Sequence, residues 1–174
     1  MTTNQSLNAA YLVDIVRTFR NYKSLGDRAL AQTADADLNV LIDPEANSIA
    51  LIMKHVAGNM RSRWTDFLTT DGEKPDRDRD REFETTSADT RASVTAQWED
   101  GWNRLFAAIA PLLPGDLSRT VHVRGEAHSV LEAITRQTNH YAAHVGQIVL
   151  LAKHYAGSRW QTLSIPKGRS SEFK

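Results

Sequence analysis

The sequence predicts an all-α fold, an antiparallel four-helix bundle with an irregular C-terminal tail. Three observations lead there. Four long stretches carry apolar residues three or four apart. The segments between them are rich in turn formers and charge, and strand-like alternation is confined to one short piece. A chain of 174 residues that is 41% apolar has material for one continuous core and too little for two comfortable ones, so a single domain over 1–174 is expected.

The first helix, about 6–32, places Leu7, Tyr11, Ile15, Phe19, Tyr22 and Leu25 on one stripe, with Arg17, Arg20, Asn21 and Lys23 between them. A second, about 44–68, is announced by Asp43, Pro44 and Glu45. Asp43 can accept from exposed backbone donors, Pro44 fits the first helical position, and Glu45 favours the positive end of the helix dipole. Its apolar line of Ile49, Ile52/Met53, Val56, Met60 and Phe67 is interrupted by Gly58.

From residue 70 to 86 the pattern collapses into TTDGEKPDRDRDREFET, with Asp71-Gly72 and Pro75 as punctuation and alternating signs. A mixed run of this kind reads as a solvated loop, and acids outnumber bases in it, so it is no phosphate-binding patch. The third helix, about 88–112, carries Val94, Trp98, Trp102/Leu105, Phe106 and Ile109. Pro111, Pro114 and Gly115 close it, and its tryptophans are expected in the core. Val121 and Val123 alternate in TVHVRGE, enough for an extended piece but too short to define a sheet. The fourth helix, about 129–155, opens on a capping box of Ser129 and Glu132 ahead of Val130, Ile134, Thr138, Tyr141, Val145, Ile148 and Tyr155. Gly157 ends it, and the tail has no regular period. Four long helices with connections of mixed length give the bundle.

Composition excludes several functions. With 21 basic and 21 acidic residues the chain lacks the positive excess that phosphate neutralisation demands, so nucleic acid is not an expected partner. The N-terminus has no basic region followed by an apolar run, and no stretch approaches about 18 uncharged apolar residues. Neither secretion nor membrane insertion is expected, and a cytoplasmic location is. The absence of cysteine removes disulfides, thiolate nucleophiles and thiolate ligands, so a metal site must use His, Asp or Glu.

Six histidines then carry the functional signal. His140 and His144, in NHYAAHVGQ, sit one turn apart on one helix face, at the edge of the core line, where two nitrogens can share a cation. An i,i+4 pair also arises by chance in a histidine-rich chain. The residue after His140 is Tyr141, not the glutamate that a zinc protease would place there. His55, at the margin of the second helix's buried stripe, supplies a third imidazole. Three neutral imidazoles from two facing helices leave positions open for water or substrate, a catalytic arrangement rather than a closed structural one. His122 lies in an irregular connection, His128 before the helix cap, and His154 near a helix end, where it complements the terminal carbonyls. Arg136 and Gln147 are within reach of a ligand but read more simply as exposed helix residues, and Asn59 and Tyr141 read as packing or capping residues.

With His55 on the second helix and His140 and His144 on the fourth, the chain resembles the DinB-like superfamily of bacterial four-helix metalloproteins. The strings KHVAGNMRSRWTDFLTTDGEKPDRDRDREFE, RGEAHSVLEAITRQTNHYAAHVGQIVLLAK and SIPKG are similar to a DinB-related subgroup without an assigned function. The resemblance covers nearly the whole chain. It implies a bundle whose His55, His140 and His144 bind a divalent metal ion, commonly zinc or nickel, often in a homodimer. Several relatives are thiol S-transferases that join bacillithiol or mycothiol to an electrophile; others have no assigned reaction. Three readings follow. The first is a metal-dependent transferase with a small-molecule thiol and an electrophile as partners, and the second a metal-dependent hydrolase on the same site. The third is a non-catalytic bundle that binds metal weakly or acts as an interaction module.

Overall fold

A computed structural model describes residues 3–172; residues 1, 2, 173 and 174 of the expected domain lie outside the described residues. The chain is mostly helical. Its four long helices are α1 (Thr3–Leu30), α2 (Ile49–Trp64), α3 (Arg91–Ile109) and α4 (Val130–Ala156). A two-stranded antiparallel hairpin, β1 (Thr120–Val123) and β2 (Glu126–Ser129), precedes α4. Helix α2 packs against both α3 and α4, and α1 packs against α4 and α3, so the four surround a common core. No helix among the described residues is long and apolar enough to cross a membrane.

Helix α4 forms where its local signals place it. Ser129 Oγ accepts from Glu132 N at 3.1 Å and Glu132 Oε2 accepts from Ser129 N at 2.7 Å. Gly157, at φ 54°, closes the other end. Helix α2 differs from expectation at both ends. It starts at Ile49, capped by Ser48, whose Oγ accepts from Leu51 N at 3.2 Å. Asp43 does accept a backbone donor, Glu45 N at 2.9 Å, but as an isolated turn: the Asp-Pro-Glu signal is shared by turns and helix starts. At the far end Thr65 is extended and Asp66 adopts φ 50°, the left-handed region that aspartate tolerates better than most residues, so the helix stops before Phe67. Helix α3 likewise starts later than expected, at Arg91, because Thr90 caps it through Ser93 N, and it stops at Ile109 ahead of Pro111.

The Val121/Val123 alternation does define a sheet, contrary to expectation. Both valines are buried, and Thr120 pairs with Ser129 and Val123 with Glu126. The turn between the strands holds Arg124 at φ 57° and Gly125 at φ 77°, the two left-handed residues of a tight hairpin turn.

The tryptophans are core residues. Trp98 and Trp102 meet edge to face with centroids 5.4 Å apart, and Trp102 lies 6.4 Å from Phe19 and 5.9 Å from Tyr141. Trp98 Nε1 donates to Asp27 Oδ1 at 2.8 Å, which ties α3 to α1.

The charged segment 70–86 is not a solvated loop throughout. Asp78, Asp80 and Arg81 are exposed, but the Arg77 side chain is 2% exposed and that of Glu82 10%. Arg77 forks onto Glu82, with Nε to Oε1 at 2.8 Å and Nη2 to Oε2 at 2.9 Å. Glu73 accepts from Arg63 at 3.1 Å and from Arg124 at 2.8 Å. Asp71 accepts from the backbone nitrogens of Arg124 and Gly125, and Gly72 N donates to His122 O, so the hairpin anchors the segment's beginning. Its end is held by Lys54, which donates to Glu84 O and pairs with Asp89. Opposite charges in close contact satisfy one another and permit burial that the alternating sequence does not reveal.

Candidate metal centre

Helix α2 carries His55 on the face turned to α4, and α4 carries His140 and His144 one turn apart. The three rings converge. His55 Nε2 lies 3.2 Å from His140 Nε2, and ring centroids are separated by 5.2 Å (55 to 140), 5.0 Å (55 to 144) and 4.6 Å (140 to 144). One nitrogen from each lies within 4.8 Å of the other two, close enough for one ion. Metal to imidazole bonds of 2.0–2.1 Å at tetrahedral angles put ligand nitrogens about 3.3 Å apart. The donor set therefore fits a divalent cation of zinc type.

Hydrogen bonds fix which nitrogen two of the rings present. His55 Nδ1 is 2.9 Å from Glu82 Oε2, and His144 Nδ1 is 2.9 Å from Gln147 Oε1. An ionised carboxylate and an amide oxygen can only accept, so Nδ1 carries the proton in each case and Nε2 is left with its lone pair for a cation. Burial pushes the Glu82 carboxyl up, but hydrogen bonds from His55 and Arg77 and the charge of Arg77 outweigh it and hold it below the ordinary glutamate value. Burial also drives His140 down to about 4, helped by the repulsion that a proton on His140 would meet from neighbouring imidazole protons and from the guanidinium charges of Arg63 and Arg77. His144 is lowered too, chiefly by burial, against the hydrogen bond that it donates to Gln147 Oε1, which favours its charged form. Both imidazoles are thus held in the neutral state that metal binding requires.

Beneath the histidines, Tyr141 is fully buried. Its hydroxyl donates to Asn59 Oδ1 and accepts from Trp64 Nε1, each at 2.9 Å. Burial first raises its pKa well above the ordinary phenol range. Tyr141 and Asn59 are therefore packing residues that floor the site, as their positions in the sequence suggest. Phe83 covers the His55 ring from the charged segment, with centroids 4.7 Å apart.

The remaining histidines lie elsewhere. His122 projects from β1 into solvent, His128 is half-buried on β2, and His154 is exposed beside Tyr155 near the end of α4. Arg136 is exposed as well. Gln147 is the one of the two reachable polar residues that enters the site, through His144. Sequence reasoning missed Glu82, Phe83 and Gly58; the break that Gly58 makes in the apolar line of α2 was the available signal.

The sequence profile of a family described as protein of unknown function, DUF1572, matches residues 6–169. The chain belongs to the DUF1572 family. The match takes in all three histidines, the charged segment and the hairpin, so the DUF1572 region includes every part of the site described above. No curated protein matches the chain.

Proposed function

We propose that this DUF1572 protein is a DinB-like metalloenzyme whose helices form the antiparallel bundle of that superfamily. His55, His140 and His144 hold a divalent ion, zinc or nickel, and the reaction transfers a low-molecular-weight thiol to an electrophile. The observation that carries the reading is the approach of three imidazoles to one point, with the Nδ1 atoms of His55 and His144 already engaged.

A divalent cation in such a site supplies Lewis acidity, which lowers the pKa of a bound thiol so that it is thiolate at neutral pH. The chain's own part is to present neutral imidazoles and to leave coordination positions free, since three protein ligands do not complete a tetrahedral shell. Transfer would form a bond from that sulfur to an electrophilic carbon, with the thiol proton passing to solvent and the leaving group departing with its electron pair. A sequence without cysteine fits an enzyme whose sulfur arrives with the substrate. The nearest candidate space for a substrate is set by helix neighbours of the histidines; none of the three imidazoles lines it. A cleft of about 250 Å³ is lined by Ile42, Ile52, Gln147, Leu150 and Leu151. Ile52 precedes His55 by one turn on α2, and Gln147 follows His144 by one turn on α4.

Elemental analysis of protein purified without a His-tag tests the ligands: zinc or nickel is expected in the wild type and absent from His144→Ala. Equal metal content in the two proteins contradicts the assignment. For the reaction, low-molecular-weight thiols are assayed against a generic electrophile with and without chelator, and chelator-sensitive thiol consumption is expected. Turnover that ignores the chelator removes the metal from the mechanism. A homodimer belongs to the same proposal, and sedimentation decides it.

A further inference from the structure

Glu82 reaches His55 from a segment whose sequence looks like surface, and it does so through a gap in α2. Both carboxylate oxygens are in use: Oε2 accepts from His55 Nδ1 at 2.9 Å, while Arg77 binds both oxygens in a fork at 2.8 and 2.9 Å. A bidentate guanidinium fixes the plane of a carboxylate as well as its position. Arg77 is itself braced by Glu73 Oε1 at 3.4 Å. On the other side of the carboxylate is Gly58, one turn along α2 from His55. A Cβ at residue 58 would stand 2.2 Å from Glu82 Oε1 and 2.7 Å from its Cδ, so the carboxylate occupies the volume that any other side chain would fill.

We propose that Glu82 is a positioning residue for the metal centre: seated in the notch of Gly58 and clamped by Arg77, it holds the His55 ring in the Nδ1–H tautomer with Nε2 aimed at the ion. The inference rests on the metal reading above, but its core concerns the chain alone. A burial of this kind is not explained by stability, because a buried ion pair roughly offsets its own desolvation. Outer partners that orient ligating imidazoles are, by contrast, a general feature of metal sites, and their loss typically weakens metal affinity 10- to 100-fold.

Four variants separate positioning from simple stapling of the segment. Glu82→Ala removes the acceptor, and Glu82→Gln keeps an oxygen for His55 Nδ1–H. Gly58→Ala displaces the carboxylate while leaving the Glu82, His55 and Arg77 side chains chemically unchanged; the added Cβ meets the end of a side chain rather than backbone, and alanine improves helix propensity, so the protein is expected to fold. Asp71→Ala loosens the same segment at its hairpin anchor, away from His55. Two quantities are measured: zinc affinity by competition with a chromophoric chelator, and the His55 tautomer by 15N NMR of the metal-free protein near pH 8.

Glu82→Ala and Gly58→Ala should each lower zinc affinity about 10- to 100-fold and shift His55 away from the Nδ1–H form. Glu82→Gln should retain most of the affinity and the wild-type tautomer, and Asp71→Ala should leave both near wild type. The proposal is overturned if His55 keeps its Nδ1–H signature in Gly58→Ala, or if Asp71→Ala costs as much affinity as Glu82→Ala. If the wild type takes up no zinc, the metal reading fails, and the tautomer measurement alone still decides whether Glu82 orients His55.

Discussion

The Tyr141 hydroxyl donates to Asn59 Oδ1 at 2.9 Å, directly under the turn of α4 from which His140 and His144 project. Because the same oxygen accepts from Trp64 Nε1, one phenol satisfies two buried groups on α2. Tyr141→Phe should therefore cost about 1–3 kcal/mol, the penalty for leaving buried polar groups unpaired. A urea midpoint shift with unchanged m-value is the expected result. A variant as stable as the wild type would show that Asn59 and Trp64 find other partners, and that the floor of the site is more adaptable than its geometry indicates.

The metal-free protein should lose stability as pH falls from about 6.5 toward 4. His140 titrates near 6.5 when unfolded and at about 4 when folded. Between those values the unfolded chain binds the extra proton, so stability rises with pH across the window and is lost as pH drops through it. His144, lowered in the same direction, adds to the slope. Urea denaturation at several pH values measures it, and His140→Gln should flatten the dependence. An unchanged slope in that variant would place the titrating groups elsewhere.

Two glycines inside long helices should respond oppositely to alanine. Gly26 on α1 faces the Trp98 ring, where an added Cβ would stand 2.6 Å from Cζ2, and the ring is fully buried and tied to Asp27. It has little freedom to yield, so Gly26→Ala should destabilise by about 1–3 kcal/mol through overpacking. Gly146 on α4 has no atom within 4 Å of its added Cβ, and Gly146→Ala should gain up to about 1 kcal/mol of helix propensity. Thermal denaturation of both checks the sign of each. A stabilising Gly26→Ala would mean that the α1–α3 contact is looser than described.

What the sequence made legible follows from the range of the forces involved. Helix α4 was readable because its capping box, periodicity and terminal glycine all act within a few residues, and its two histidines came with it. The face of α2 that carries His55 is legible because it is set by a local apolar stripe, even though the helix starts at Ile49 rather than near Pro44. Glu82 was hidden. A run of alternating acids and bases has the same composition whether water or Arg77 neutralises it, and the difference lies in the long-range approach of that run to Gly58. The hairpin was underestimated for a related reason: two valines suffice when Asp71 and Gly72 complete the anchorage from another part of the chain.

Metal removal should couple to stability through the same three rings. A cation that binds the folded chain and not the unfolded one stabilises by mass action, by about 2.7 kcal/mol when free metal is 100 times its Kd. Chelator should accordingly lower the melting temperature of the wild type and leave that of His144→Ala unmoved. The Gln147→Ala variant discriminates further, because Gln147 touches the site through the Nδ1 of His144. Its chelator-dependent shift should be smaller than that of the wild type while its metal-free melting temperature stays close, Gln147 being exposed at the surface of α4. A full-sized shift in Gln147→Ala would show that His144 needs no partner to present Nε2. A wild-type melting temperature indifferent to both chelator and added zinc would mean that the convergence of His55, His140 and His144 serves packing instead of an ion.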